Sequence, residues 1–82
     1  MLSENILNKI ALIEWIDSAG SEQLWECIDC IEPLPPRQCR SVGFVIDDDP
    51  EYKTLTLGLS DNQLIYRLTI PTCCIKSIKL LK

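Results

Sequence analysis

Five cysteines carry the most reactive side chains in this 82-residue sequence. Cys27 and Cys30 have the Cys-x-x-Cys spacing with which zinc knuckles and redox sites bring two thiolates to one centre. The others do not complete a zinc site, because Cys39 stands alone and an extended chain points the adjacent Cys73 and Cys74 to opposite faces. Histidine is absent. The sequence therefore predicts no metal and no cofactor, and favours cysteines that act as small buried hydrophobic residues.

The usual catalytic groups are also incomplete. Glu26 and Asp29 flank the cysteine pair and are expected to raise a thiol pKa, which disfavours redox catalysis. Without histidine, nucleophilic catalysis of the Ser-His or Cys-His kind lacks its general base. Glu14 and Asp17 would lie on opposite faces of a strand and would not converge as an acid and base pair. We therefore expect a protein that is not an enzyme.

Arginine and aromatic side chains are the candidates for binding an anionic ligand. A guanidinium group suits planar recognition of phosphate, and an aromatic ring can stack on a base. The alternative for each residue is an ordinary strand aromatic or a solvated arginine, and for Trp15 and Trp25 it is a place in the core. The chain has only three arginines, Arg37 among them. The predicted ligand-binding residues are Arg40, Arg67, Tyr52, Tyr66 and Trp25.

Length, charge and hydropathy limit the partners. The chain is long enough for one small domain over residues 1–82, with residues 1–9 as a flexible or helical N-terminal extension. Its net charge of −4 disfavours binding to DNA or RNA. The longest apolar run is four residues, at 10–13, so no membrane span is expected, and the odd number of cysteines indicates a reducing, cytoplasmic location. A short chain that is 46% apolar also favours a homo-oligomer.

Alternating and β-branched segments predict five strands, at residues 10–18, 39–46, 52–60, 64–70 and 75–81. An acidic turn follows the second strand, a polar turn at 60–63 follows the third, and a single helical turn at 72–74 precedes the last. The first connection, 19–38, is long and contains a short helix. Its apolar residues recur every three or four positions and are expected to pack on the core: Leu24, Trp25, Ile28 and Ile31. The predicted fold is mostly β, a small SH3-like or Sm-like five-stranded barrel.

Several short motifs resemble those of small uncharacterised bacteriophage and prophage proteins. They are Glu-Trp-Ile-Asp-Ser at 14–18, Ser-Val-Gly-Phe at 41–44, Leu59-Ser60 and Ile70-Pro71. The resemblance implies a phage origin and a compact β fold, and transfers no catalytic or ligand residue. The chain is also similar, in expected role and in size only, to several unrelated small phage proteins. Those proteins are oligomers that trap nucleotide signals of bacterial immunity.

Two functions remain open at this level. The first is a phage-type, non-enzymatic homo-oligomer that sequesters a small anionic, nucleotide-like signalling molecule in the host cytoplasm. The alternative is a protein–protein interaction or structural accessory module that binds a host or virion protein. A thermal-shift screen separates them, because a nucleotide at one hundred times its Kd stabilises a binder by about 2.7 kcal/mol.

Overall fold

The computed structural model describes residues 6–81 and contains five antiparallel strands in one sheet. They are β1 (Ile10–Asp17), β2 (Arg37–Asp48), β3 (Tyr52–Leu59), β4 (Leu64–Pro71) and β5 (Ile75–Leu81). The five predicted strands are confirmed, each end lying within two residues of its expected position. Within the described range, helix is limited to the two 3₁₀ turns Ile28–Cys30 and Thr72–Cys74.

The strands are ordered β4-β3-β2-β1-β5, so consecutive strands β4 and β5 lie at opposite edges of the sheet. A flat sheet would separate these edges by about 19 Å, four spacings between strands. The short connection through Thr72–Cys74 spans about 14 Å at most, so the sheet must curl. The ladders end at β4 and β5, which leaves the sheet curled and not closed. The mostly-β prediction is confirmed at this coarser level.

The core is small and lies on the concave face of the curled sheet. Trp15 was expected there and is half-buried against it, with its indole Nε1 donating a 3.0 Å hydrogen bond to Ser41 Oγ. Ile75, Ile78 and Leu80 of β5 cover the same cluster. The fully buried apolar residues are Ile6, Ala11, Ile13, Val45, Leu55 and Ile70.

The chain before β1 is attached to β2 by backbone hydrogen bonds. The Asn8 amide donates to Val45 O at 2.7 Å, and the Val45 amide donates to Lys9 O at 2.9 Å. Asn8 has a left-handed backbone with φ of 64°, a conformation that asparagine tolerates better than most residues. Residues 6–9 thus form a turn that places Ile6 in the core. The rest of the predicted extension, residues 1–5, lies outside the described residues.

At Gly43, β2 and β3 approach each other closely. A Cβ atom at this position would lie 2.6 Å from the backbone oxygen of Thr56, closer than real Cβ atoms come. The ladder between the two strands runs from the Phe44–Thr56 pair toward the acidic turn and does not continue past Phe44 in the other direction. The first half of β2 and the last residues of β3 therefore diverge.

The β1–β2 loop (residues 18–36) extends away from the sheet, and every residue in it except the half-buried Ala19 is exposed. The prediction that its apolar residues pack on the core is wrong, and so is the core position for Trp25, which is 93% exposed. A three-residue 3₁₀ turn is too short to collect side chains with helical spacing on one face. Prolines at 33, 35 and 36 prevent a longer helix. The radius of gyration is accordingly 16.3 Å, against about 12 Å for a compact chain of this length.

Candidate functional site: the β2–β3 slot

The two arginines predicted to bind an anion lie on different parts of the sheet. Arg40 on β2 is paired in register with Glu14, and Arg67 on β4 with Thr56. Thr56 is in turn paired with Phe44, four residues along β2 from Arg40. That offset corresponds to roughly 13 Å along the strand, in addition to two strand spacings. Within one subunit the backbone positions of the two arginines are therefore roughly 16 Å apart, and the register does not place them side by side.

Tyr52 lies in a negatively charged environment at the start of β3. Asp47 and Asp49 raise the pKa of its phenol by charge repulsion, and partial burial, a hydrogen bond with Asp47 and the charge of Glu51 act in the same direction. The turn is closed by the Glu51 amide, which donates to Asp49 Oδ1 at 2.9 Å. The acidic turn is therefore confirmed, but the carboxylates around Tyr52 would repel a phosphate group.

The five predicted ligand residues do not meet at one place. Trp25 belongs to the β1–β2 loop, Arg40 to β2, Tyr52 to β3, and Tyr66 and Arg67 to β4. Only the last two are neighbours. Capture of a nucleotide between subunits stays a prediction, because a single subunit does not assemble these residues.

Cys27 and Cys30 form a close dithiol in the β1–β2 loop. The 3₁₀ turn places residues three apart on the same side, and the Cys30 thiol donates to Cys27 Sγ at 2.8 Å. This bond, helped by backbone hydrogen bonding from Asp29, lowers the pKa of Cys27, and the same contact raises the pKa of Cys30. The expectation that Glu26 and Asp29 raise the thiol pKa is therefore wrong for Cys27.

The other cysteines also differ from the sequence prediction. Cys73 and Cys74 lie in the second 3₁₀ turn with their sulfur atoms 3.9 Å apart, and not on opposite faces of an extended chain. None of the five cysteines is fully buried. Residues 6–81 contain no group of three or more Cys, Asp or Glu side chains that could hold a metal ion.

The feature that sequence reasoning missed is an open slot between β2 and β3, where these strands diverge. We call it the β2–β3 slot. It has a volume of about 240 Å³, and its floor includes the buried Leu55 and Thr56. Large apolar side chains at its rim are exposed to solvent, namely Val42, Leu57, Tyr66 and Leu68.

One side of the slot is an unpaired strand edge. The Val45 amide points toward the β1 side of β2, where it donates to Lys9 O. Backbone N–H and C=O groups alternate in direction from residue to residue along an antiparallel strand. The backbone groups of Gly43 and Ser41 therefore also point to β1, whereas those of Val42 and Arg40 point into the slot. No strand of the described chain pairs with β2 on this side before Phe44. The amides and carbonyls of Val42 and Arg40 are therefore free to pair with an added segment.

Tyr66 is presented at the slot by an irregularity in β4. Its φ of 53° is a left-handed conformation that costs energy for a bulky residue. The buried Thr56 hydroxyl supports this bend by donating to Ile65 O at 2.6 Å. The sequence signals nothing at this position, because glycine is the residue that usually marks a left-handed conformation.

The comparisons with known proteins identify no relative. No family model matches the chain, and neither the curated proteins nor the solved structures give a significant match. The resemblance to phage proteins is not tested by these comparisons and stays a prediction. Among residues 6–81, no helix is long and apolar enough to cross a membrane.

Proposed function

We propose that this protein is a non-enzymatic interaction module that binds an extended segment of another polypeptide in the β2–β3 slot. The observation that carries the proposal is the free edge of β2 at Arg40 and Val42, next to exposed apolar side chains. An added strand gains affinity from main-chain hydrogen bonds and specificity from side chains in neighbouring pockets. A slot with both features suits this mode of binding.

The charges around the slot favour an acidic segment. Arg37 and Arg40 lie on the part of β2 that pairs with β1 but not with β3. Arg67 lies on β4 between Tyr66 and Leu68, which line the slot. Among the described residues, no carboxylate lies within 4 Å of these guanidinium groups. Unpaired arginines at the rim of an interface attract segments of opposite charge and reject basic ones. We therefore assign the slot to segments that combine large apolar side chains with Asp or Glu.

We further propose that the curled sheet is a small barrel of the SH3-like or Sm-like kind. Support comes from the long second strand shared between two halves of the sheet, and from the 3₁₀ turn that leads into β5 beside β1. In such an arrangement the slot is a gap within the wall between β2 and β3, separate from the open seam between the edge strands β4 and β5.

The first test is a binding measurement with a defined probe. The probe is a synthetic peptide of residues 20–32 of this chain, which is apolar, acidic and free of basic residues. The receptor is the full chain with Trp25→Ser and Ile28→Ser, so that its own loop does not compete. We expect Val42→Ser to weaken peptide binding roughly tenfold, because this loss removes apolar contact worth about 1.5 kcal/mol.

A matched control separates the slot from general hydrophobicity. Ile65 on β4 is exposed to 52%, close to the 55% of Val42, but it lies outside the slot. Ile65→Ser should leave peptide binding unchanged. Equal loss in both variants, or no peptide binding to the receptor with an intact slot, would refute the proposed function.

A further inference from the structure

The β1–β2 loop carries the whole net charge of the protein. It contains four acidic residues, Glu22, Glu26, Asp29 and Glu32, and no basic residue. The chain has twelve acidic and eight basic residues, so eight of each sign remain outside the loop. The loop therefore has a net charge of −4, while the rest of the chain is neutral overall. This charge matches the one preferred by a slot with arginines beside it.

The loop also exposes more apolar surface than a free segment in water should. Leu24, Trp25 and Ile28 are 96%, 93% and 86% exposed, and Ile31 and Leu34 are exposed as well. Covering four aliphatic side chains and one tryptophan would bury roughly 400–700 Å². Two reciprocal loops, together with the surfaces that receive them, would bury on the order of 1,600–2,800 Å². This area reaches the 1,200–2,000 Å² of a stable protein interface.

The loop is poorly placed to occupy the slot of its own chain. Its two ends meet at the Asp17–Arg37 pair, and its tip can reach about 30 Å from there. Just before β2, Pro33, Pro35 and Pro36 fix φ and favour an extended exit. Folding back onto the same β2 would need a tight reversal in these residues. A second molecule can receive the loop without such a reversal.

We propose that residues 22–31 of one copy occupy the β2–β3 slot of a second copy, and that the exchange is reciprocal in a two-fold symmetric dimer. Leu24, Trp25 and Ile28 cover the apolar rim, and the loop carboxylates lie against Arg40 and Arg67. Reciprocal exchange closes the assembly at two subunits, because each copy has one loop and one slot. This inference rests on the proposed function of the slot and names its occupant.

The decisive experiment is a charge exchange between loop and slot, read out as molecular mass by sedimentation equilibrium of the full chain. Glu26→Lys with Asp29→Lys reverses the charge at two loop positions and takes the loop from −4 to 0. Arg40→Glu with Arg67→Glu reverses the charge at two positions beside the slot. We expect each double variant to dimerise at least tenfold more weakly than the original chain. An equimolar mixture should recover a heterodimer, because both of its loop–slot contacts join opposite charges: the substituted loop meets the substituted slot, and the original loop meets the original slot.

Two controls keep the outcome interpretable. Lys79→Glu makes the same kind of charge reversal on β5, away from the slot, and should leave the dimer intact. Circular dichroism and thermal unfolding check that each variant is folded, which we expect because the substituted side chains are exposed. Trp25→Ser with Ile28→Ser should yield monomer without loss of secondary structure.

The outcomes separate this inference from the proposed function. A chain that is monomeric at high micromolar concentration, or a dimer insensitive to both charge reversals, would refute the loop exchange. If the peptide of residues 20–32 still binds the slot in that case, the proposed function stands and only the identity of the occupant is wrong. If the peptide also fails to bind, both are wrong.

Discussion

Tyr52 shows how the charge of single residues decides between candidate sites. The side chain is about one-third exposed beside Asp47, whose charge is the largest influence on the phenol. In the sequence, Tyr52 is simply a tyrosine close to acidic residues. That pattern alone does not indicate whether the ring can bind a ligand. In the folded chain the carboxylates disfavour a bound phosphate and a phenolate for the same reason.

The raised pKa of Tyr52 is directly measurable. We expect the phenol to titrate above its ordinary value of 10.0, and Asp47→Asn to lower the titration midpoint. Phenolate absorbance in a Tyr66→Phe background reports Tyr52 alone. Asp61→Asn, on the β3–β4 turn, is the matched control and should not move the midpoint. No response to Asp47→Asn would show that the acidic turn does not surround this ring.

The sign of the linked stability follows from the direction of this pKa. The folded state disfavours phenolate more than the unfolded state does, so this contribution to stability is complete below pH 10. It is lost as the pH rises through the raised folded value.

At the same scale, the cysteine pair illustrates a limit of spacing arguments. Cys-x-x-Cys spacing alone suits zinc, redox chemistry or no site at all. The local turn places the two sulfur atoms 2.8 Å apart. Their hydrogen bond lowers the pKa of Cys27 and raises the pKa of Cys30. The hydrogen bond between the two thiols, and not the charge of the neighbouring carboxylates, is the largest influence on both pKa values.

Strands were predictable because their signal is local. Alternation over 52–60 and turn residues on both sides gave β3 to within one residue. The slot was not predictable, since it depends on where the β2–β3 ladder stops, and the same alternation continues along β3 past that point. A pattern of period two specifies the face of a side chain but not the length of the ladder.

The helical spacing in the β1–β2 loop led to a wrong prediction of core packing for a related reason. Leu24, Trp25, Ile28 and Ile31 share one face only if a helix forms, and here a single 3₁₀ turn forms without packing any of them. A short helix without tertiary contacts is unstable in water. The periodicity therefore reflects apolar side chains that the single chain leaves exposed to solvent.

The close approach of β2 and β3 at Gly43 provides a test of the backbone geometry at the end of the slot. Gly43→Ala would place a methyl group 2.6 Å from the Thr56 backbone oxygen, so one strand must move. We expect a loss of about 1–3 kcal/mol in the free energy of unfolding, measured by denaturant titration at fixed protein concentration. Gly20→Ala is the control, because nothing lies within 4 Å of its added Cβ, and its effect should stay within about 0.5 kcal/mol. Wild-type stability for Gly43→Ala would mean that the two strands are not held in tight contact there.

At the scale of the whole molecule, the single chain leaves two apolar surfaces uncovered. Its longest dimension is 53 Å, and its small core leaves an apolar loop and an apolar slot both open to water. Loop exchange would cover both surfaces with one set of contacts. Length and hydropathy predict oligomerisation without indicating which residues would mediate it, and we propose that these two surfaces do.

Backbone amide exchange in β2 tests the central claim most directly. The backbone amides of Arg40 and Val42 point into the slot, whereas those of Ser41 and Gly43 point to β1 in the β1–β2 ladder. At concentrations that favour the dimer, we predict slow exchange at all four amides. In the Trp25→Ser, Ile28→Ser chain we predict fast exchange at Arg40 and Val42 only. Fast exchange at Arg40 and Val42 in both samples, with Ser41 and Gly43 protected throughout, would contradict occupation of the slot.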